Sequence, residues 1–428
     1  MADRVVVIGD PASVFVQTPV RFWRERGVDA VILTARWSGG GTVDGDLPVI
    51  TAETLAPPWA VSAARAVYSL LDAANASSLA VDPARVRTAL QAWAHTAVPP
   101  SIAPPAHDAL LIAAAADALD PACVFAHEAF AYGLAASSCT APRRALMAWG
   151  ADVLQYARMT DVAHALVRQA LHGVHYVLTN ATTMEDALHE RFDLPRARMA
   201  RISYGVDRQM FQRATGARAT AIRHTYGIAV GARVVMNIRR FLPHWGSALA
   251  WPAMAALAEA RPDVHLVLLG GATSDDDMTA AEADARARGL SGRVTFVRGD
   301  APLATVADLM ALADVSLSLV RTLEPVSWSV LQAVACGSAV VVADQPSYAL
   351  EGNRGLDVHR LQSCGVTDIG AAAAALLDDP GRAAAMAQAN ARYLSAHHDR
   401  DIELTRLLRI VAGAATAERL LPPAPAHV

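Results

Sequence analysis

The sequence predicts an α/β protein built from two doubly wound domains, and three observations carry that expectation. Short β-branched runs alternate with helix-length, alanine-rich segments, the pattern of parallel strands joined by crossover helices. The rhythm is interrupted in the first half and restarts in the second. At 428 residues the chain is also too long for one typical domain. With 53% apolar and 18% charged residues, a large core is assured.

In the first half the strands read as Arg4 to Ile8, Ala30 to Thr34, Ala122 to Phe125, Ala145 to Ala148 and Tyr176 to Thr179. The amphipathic or small-residue segments between them read as helices. Residues 51–105 break the pattern with Pro57-Pro58, two helical stretches, Pro99-Pro100 and Pro104-Pro105, a helical insertion bounded by proline loops. Ser203-Tyr-Gly-Val-Asp207 is a turn-rich join. The strands resume at Arg233 to Ile238, His265 to Leu269, Val294 to Val297, Val315 to Leu319 and Ala339 to Val342, each followed by a helix. The expected domains are therefore 1–205 and 206–400. Residues 401–428 read as a C-terminal helix packing back toward the first domain, with a frayed tail from Pro422 to Val428. Two such domains facing each other across a cleft would hold ligands there.

Composition removes several function classes. A formal charge of −4 argues against a general nucleic-acid binder, which would carry a basic face. The chain has no lysine, so all 37 basic residues are arginine. Schiff-base chemistry, lysine-linked pyridoxal phosphate and a P-loop lysine are excluded. Cys123, Cys139, Cys336 and Cys364 show no zinc-ligand spacing and read as reduced thiols. No signal peptide precedes the first strand and no segment is apolar enough to span a membrane, so the expected location is cytoplasmic.

The most informative stretch runs from Leu323 to Gly337. A buried strand enters a polar loop containing Glu324, and a helix opens near Ser327. The first-turn amides and the positive end of a helix dipole favour phosphate, and a carboxylate such as Glu324 accepts hydrogen bonds from sugar hydroxyls. Together they suggest a nucleotide sugar. Arg239 and Arg240 sit at the carboxyl end of a buried strand, where open sheets bind ligands, and suit a phosphate. Arg298 and Gly299 follow the strand ending at Val297, either at a second ligand edge or as plain surface. Gly270-Gly271 either lets backbone approach a ligand or turns the chain.

In the first half, His127-Glu128 begins an HExxH-like run, but the fifth position is Ala131, so zinc hydrolysis is not expected and no metal ligand is assigned. His127 either binds hydroxyls in the cleft or is a satisfied structural histidine. Asp275-Asp276-Asp277 reads as the acidic start of a helix. Gly9-Asp-Pro-Ala-Ser13 follows the first strand without GxGxxG, which disfavours a dinucleotide-dependent dehydrogenase.

In several ordered motifs the second half resembles glycosyltransferase family 4, retaining enzymes with the two-domain, Rossmann-like GT-B fold. These are Tyr204-Gly-Val-Asp207 with Phe211, the strand and loop from Val235 to Gly246, and Ala313-Asp314 with Glu324 to Gly337. The match covers most of residues 175–400. Phe125 to Gly133 and Arg144 to Asp152 resemble the family more loosely. The resemblance implies transfer of a sugar from a nucleotide diphosphate, UDP or GDP, to a small-molecule or glycan acceptor, without a metal or other cofactor. It implies catalytic roles for Arg239, Arg240 and Glu324, and donor contacts from Ser327, Trp328, Gln332, Arg298, Gly299, Trp149 and Gly270. His127, Asp152 and Ser13 fall on the acceptor or cleft side.

Three positions depart from the family pattern. Gln332 stands where a second glutamate contacts ribose, Trp245 takes a lysine position that Arg239 compensates, and Trp149 replaces a histidine. These departures leave two other readings. One is a catalytically altered GT-B protein that binds a nucleotide sugar or activates a partner; the other is a sugar-nucleotide epimerase.

Overall fold

The computed structural model describes residues 4–35, 47–52, 103–154, 161–242, 245–271, 275–299, 301–320, 326–348 and 355–421. Most of the 51–105 insertion, and Glu324 with its loop, lie outside these residues. The chain divides into two compact units. One comprises Met1–Tyr204 with Asp401–Val428, and the other Gly205–Arg400.

The first unit holds a parallel sheet of seven strands among the described residues. They are β1 (Val5–Ile8), β2 (Ala30–Thr34), β3 (Val49–Thr51), β4 (Cys123–His127), β5 (Arg144–Met147), β6 (Tyr176–Thr179) and β7 (Met199–Arg201). Their order in the sheet is β3-β2-β1-β4-β5-β6-β7, so the direction of winding reverses between β1 and β4. Alternation within β1 explains the two layers. Val6 and Ile8 join a core with Leu111, Leu134, Val167 and Leu188 from helices on one face. Val5 and Val7 join Phe22 and Trp23 of helix Val14–Arg24 on the other.

The C-terminal helix Arg400–Ala412 completes that second layer. Leu404, Leu407, Leu408 and Val411 are buried beside Trp23, whose indole donates to the Leu404 carbonyl at 3.1 Å. The Glu403 carboxylate accepts the Ser203 amide at 2.7 Å, and Arg143 donates to the carbonyls of Ile410 and Val411 at the helix end.

The second unit holds six parallel strands among the described residues. They are β8 (Arg233–Arg240), β9 (Val264–Leu269), β10 (Val294–Val297), β11 (Val315–Ser318), β12 (Ala339–Ala343) and β13 (His359–Leu361). The order is β10-β9-β8-β11-β12-β13, with the reversal between β8 and β11. Val235, Leu266 and Leu317 face helices Ser247–Ala260 and Val366–Asp378. Val234, Met236 and Val340 face helices Leu303–Leu312 and Trp328–Ala335.

The structure corrects the sequence reading at three points. β4 extends two residues further than expected and carries His127 at its end. The pair Pro104-Pro105, read as a loop, lies in the first turn of helix Ala103–Ala118, where a missing N–H costs nothing and the fixed φ suits the helix. Three strands, β3, β7 and β13, were not expected. No described helix is long and apolar enough to cross a membrane.

The crossing segments at residues 205–207 and 398–400 are bound to each other within the second unit. Val206 donates to the His398 carbonyl at 3.0 Å, and Arg400 pairs with Asp207 at 2.5 Å. Gly205 has φ +65°, and a Cβ there would land on the Arg400 backbone. Gly205→Ala should therefore cost at least about 2 kcal/mol, from left-handed strain plus the clash. Urea unfolding of the pure variant checks this.

Candidate functional site

In an open parallel sheet the crevice lies outside the carboxyl ends of the strands, where strand order reverses. In the second unit that point is between β8 and β11, and of the residues singled out for the donor it collects Arg239, Arg240 and Ser327. β8 ends in an irregularity: Asn237 is opposite Leu268 while Arg240 is opposite Leu269, so Ile238 and Arg239 are extra. Such a bulge bends a strand and re-aims its side chains. The fully buried Asn237 steadies it by donating its Nδ2 to the Arg239 carbonyl at 2.9 Å.

The re-aimed Arg239 donates from Nη1 to Ser327 Oγ and, more weakly, to Ser329 Oγ at 3.5 Å. The two hydroxyls are 2.7 Å apart. Ser327 is the residue preceding helix Trp328–Ala335, with φ −66° and ψ 138°, and its side chain makes no capping bond. Its carbonyl accepts the amides of Val330 and Leu331. A guanidinium, two hydroxyls and a helix N-terminus thus converge on one spot, an arrangement suited to an anion carrying several acceptor oxygens.

Trp245 serves as a platform for both arginines. The Arg239 and Arg240 guanidinium carbons lie 5.0 and 5.8 Å from its ring centroid. Arg240 is exposed, and its aliphatic stem crosses Gly271, where an added Cβ would come within 2.9 Å of Cδ. The second glycine of the pair thus admits the arginine stem. Gly270 itself donates its amide to Val297 at 2.7 Å. Gly246, with φ +87°, opens helix Ser247–Ala260, and a Cβ there would be 2.5 Å from the Leu319 carbonyl oxygen. Only glycine lets this loop lie against the end of β11.

The remaining donor candidates fall into different settings. Gln332 is 4% exposed, and its Nε2 has no hydrogen-bond partner, an uncompensated donor inside the fold. Trp328 points its indole N–H at the Gly205 carbonyl, 2.7 Å away. Arg298 pairs with Glu282 at 2.9 Å and contacts Thr279, both on helix Asp275–Ala287. Gly299 takes φ +64° in the turn beyond. Asp314 belongs to the opposite, amino ends of the strands, where it accepts the Val234 amide and pairs with Arg213 at 2.7 Å. Glu324 falls outside the described residues.

In the first unit the reversal lies between β1 and β4, and the rings gather there. His127, 4% exposed at the end of β4, stands 3.2 Å from the Tyr204 hydroxyl through Nε2, while its Nδ1 has no partner. Trp149 lies beside it with centroids 5.8 Å apart, Tyr204 is 5.6 Å from Trp149, and Phe15 is 4.4 Å from Trp149. Gly9 keeps the β1 loop close, since a Cβ there would meet Val16 at 2.5 Å and the Cβ of His127 at 3.4 Å. Ser13 precedes helix Val14–Arg24 without a capping bond from its side chain.

Burial drives the His127 pKa down to about 3, and it pushes the Tyr204 hydroxyl well up. The imidazole is thus neutral across ordinary pH, with one nitrogen engaged and one unpaired. Asp152, placed by sequence on the acceptor side, spends both oxygens on backbone amides: Ala129 at 2.9 Å, Gly150 at 2.9 Å and Trp149 at 3.2 Å.

Sequence reasoning passed over Asn237, Ser329 and Phe15. A polar residue inside Val-Val-Met-Asn-Ile was the available signal for Asn237. Ser329 and Phe15 carried none, because their roles come from folding distant segments together.

The neutral state of His127 has a consequence for stability. Its folded pKa lies below its unfolded value, so the unfolded chain binds the extra proton, and stability falls as pH drops below about 6.5. Its contribution is fully present above that pH. His127→Phe should remove this part. The stability difference between parent and variant should shift by up to about 2 kcal/mol against the parent between pH 6.5 and 5. Denaturant unfolding at both pH values checks it.

Comparison with known proteins agrees with this geometry. Residues 219–392 match the family of glycosyl transferases group 1. A GDP-mannose-dependent alpha-(1-6)-phosphatidylinositol monomannoside mannosyltransferase of Mycolicibacterium smegmatis is 29% identical over 235 residues. The match takes in 53% of this chain and 59% of that protein, less than two thirds of the relative's length. Sucrose-phosphate synthase of Thermosynechococcus elongatus superposes with a TM-score of 0.67 at 14% identity, covering 97% of this chain and 99% of that one. The Anabaena protein HepE, solved with UDP and glucose, gives 0.61 at 16% identity with the same coverage. Residues 219–392 are thus similar to the group 1 glycosyl transferases, and the chain carrying them has the GT-B fold.

Proposed function

We propose that this protein transfers a sugar from a nucleotide diphosphate to an acceptor hydroxyl with retention of configuration and without a metal. The observation that carries the reading is the convergence of Arg239, Ser327, Ser329 and the N-terminus of helix Trp328–Ala335 at the strand-order reversal. In the reaction the bond between the anomeric carbon and the diphosphate oxygen breaks, and a bond from the acceptor oxygen forms on the same face. The leaving phosphate oxygen takes the acceptor's proton. Negative charge grows on the diphosphate as this happens, and fixed donors aimed at it stabilise the transition state more than the ground state. Arg239 and Arg240 supply that positive charge, which is the reason to expect no metal.

Glu324 would hold hydroxyls of the donor sugar, with the amides around Ser327 beside it. Gln332 offers its unpaired Nε2 donor where a glutamate would offer only acceptors, so it suits an acceptor atom of the nucleotide. The nucleotide is UDP or GDP: the mannosyltransferase relative uses GDP-mannose, and HepE was solved with UDP. The acceptor is a small molecule or glycan, met by the first unit, and the reaction belongs in the cytoplasm.

The test is incubation with a panel of UDP and GDP sugars and candidate acceptors, with product analysis. A glycosylated product supports transfer. Tight binding without turnover would instead favour a partner-activating protein, which the Gln332 substitution motivates. Free nucleotide or an altered nucleotide sugar without glycosylated product would point to hydrolysis or epimerisation. With an active pair in hand, Glu324→Ala should lower kcat at least about tenfold, the loss of one hydrogen bond made in the transition state. Unchanged kinetics in a folded variant would remove Glu324 from the site.

A further inference from the structure

Two of the rings of the first unit border neighbouring loops. His127 is the last residue of β4, just before the loop that begins at Glu128, and the loop after β5 begins at Ala148 and carries Trp149. Both have unusual backbone: Glu128 sits at φ +72° and Gly150 at φ +137°. A non-glycine residue at positive φ persists only where its surroundings hold it there.

Asp152 lies under both loops. Its Oδ2 accepts the Ala129 amide from the first, and its Oδ1 accepts the Trp149 and Gly150 amides from the second. Three N–H donors cannot bond to one another, so the loops can meet here only through an acceptor with several lone pairs and no proton of its own. A carboxylate meets that need; burial pushes its pKa up, and the backbone bonds counter part of that cost.

We propose that Asp152 is a positioning residue that clasps the two loops and so sets Trp149 and His127 against each other and against Tyr204. It touches no substrate. The inference rests on the reading of these rings as part of the sugar-transfer site, and it reassigns Asp152 from ligand contact to support. Asparagine is the discriminating replacement: it keeps volume and shape but turns an N–H toward at least one of the three amides.

Two measurements on the full chain test it. In the parent, the amides of Ala129, Trp149 and Gly150 should exchange with deuterium at least about a hundredfold more slowly than in an unfolded chain, and free exchange at these amides would overturn the clasp. In Asp152→Asn, the indole N–H resonance of Trp149, assigned through Trp149→Phe, should move or broaden while the other indole signals hold. With an active donor and acceptor, kcat should fall about tenfold or more from the misplaced rings, with nucleoside diphosphate affinity unchanged. A folded asparagine variant with an unmoved Trp149 signal and full kcat would refute the proposal. If the parent transfers no sugar, the functional reading fails, and exchange and the indole signal decide the clasp alone.

Discussion

The reversal of strand order between β8 and β11 is the constraint on which the candidate donor site depends. Once the chain winds outward in both directions from these two strands, the loops at their carboxyl ends have no helix crossing between them. The Gly246 loop can then lie against Leu319, the β8 bulge can aim Arg239 sideways, and Ser327 can present its hydroxyl from the start of the next helix. Each of these details is small. Together they place donors from segments 88 residues apart around a single point at the strand-order reversal.

Reliance on arginine shapes the electrostatics of that point. A guanidinium is planar, always charged and able to lie over an aromatic ring while donating in its own plane. Trp245 provides such a ring for two neighbouring arginines, where a lysine would offer only a point charge. The first unit is built on the opposite principle. His127 is buried beyond the reach of a proton at neutral pH, and the charge beneath it, on Asp152, is consumed by backbone amides. One unit concentrates positive charge at its crevice and the other offers neutral rings.

Ten of the thirteen described strands were legible because each is a short apolar run, most of them β-branched and buried on both faces. The three that were not, β3, β7 and β13, are three-residue edge strands. His-Arg-Leu and Met-Ala-Arg have no apolar run to betray them; they pair because a sheet edge offers free backbone groups. The helix opening at Ser327 was legible because a polar residue there follows a buried strand and precedes an apolar, helix-length run. The backbone bonds of Asp152 left no trace in sequence, because an acidic residue near a strand end looks the same whether its oxygens face a ligand or main-chain amides. The β8 bulge left only Asn237 as a trace.

On the proposed function, the cluster at Arg239 holds the diphosphate of the donor. Calorimetric titration with UDP and GDP beside uridine and guanosine, at fixed salt, tests it most directly. At least one diphosphate should bind, its nucleoside should show no measurable binding, and Arg239→Ala should bind the diphosphate at least about tenfold more weakly, through loss of a charge-assisted hydrogen bond. Equal binding of nucleoside and diphosphate, or a folded Arg239→Ala protein that binds the diphosphate as tightly as the parent, would contradict it.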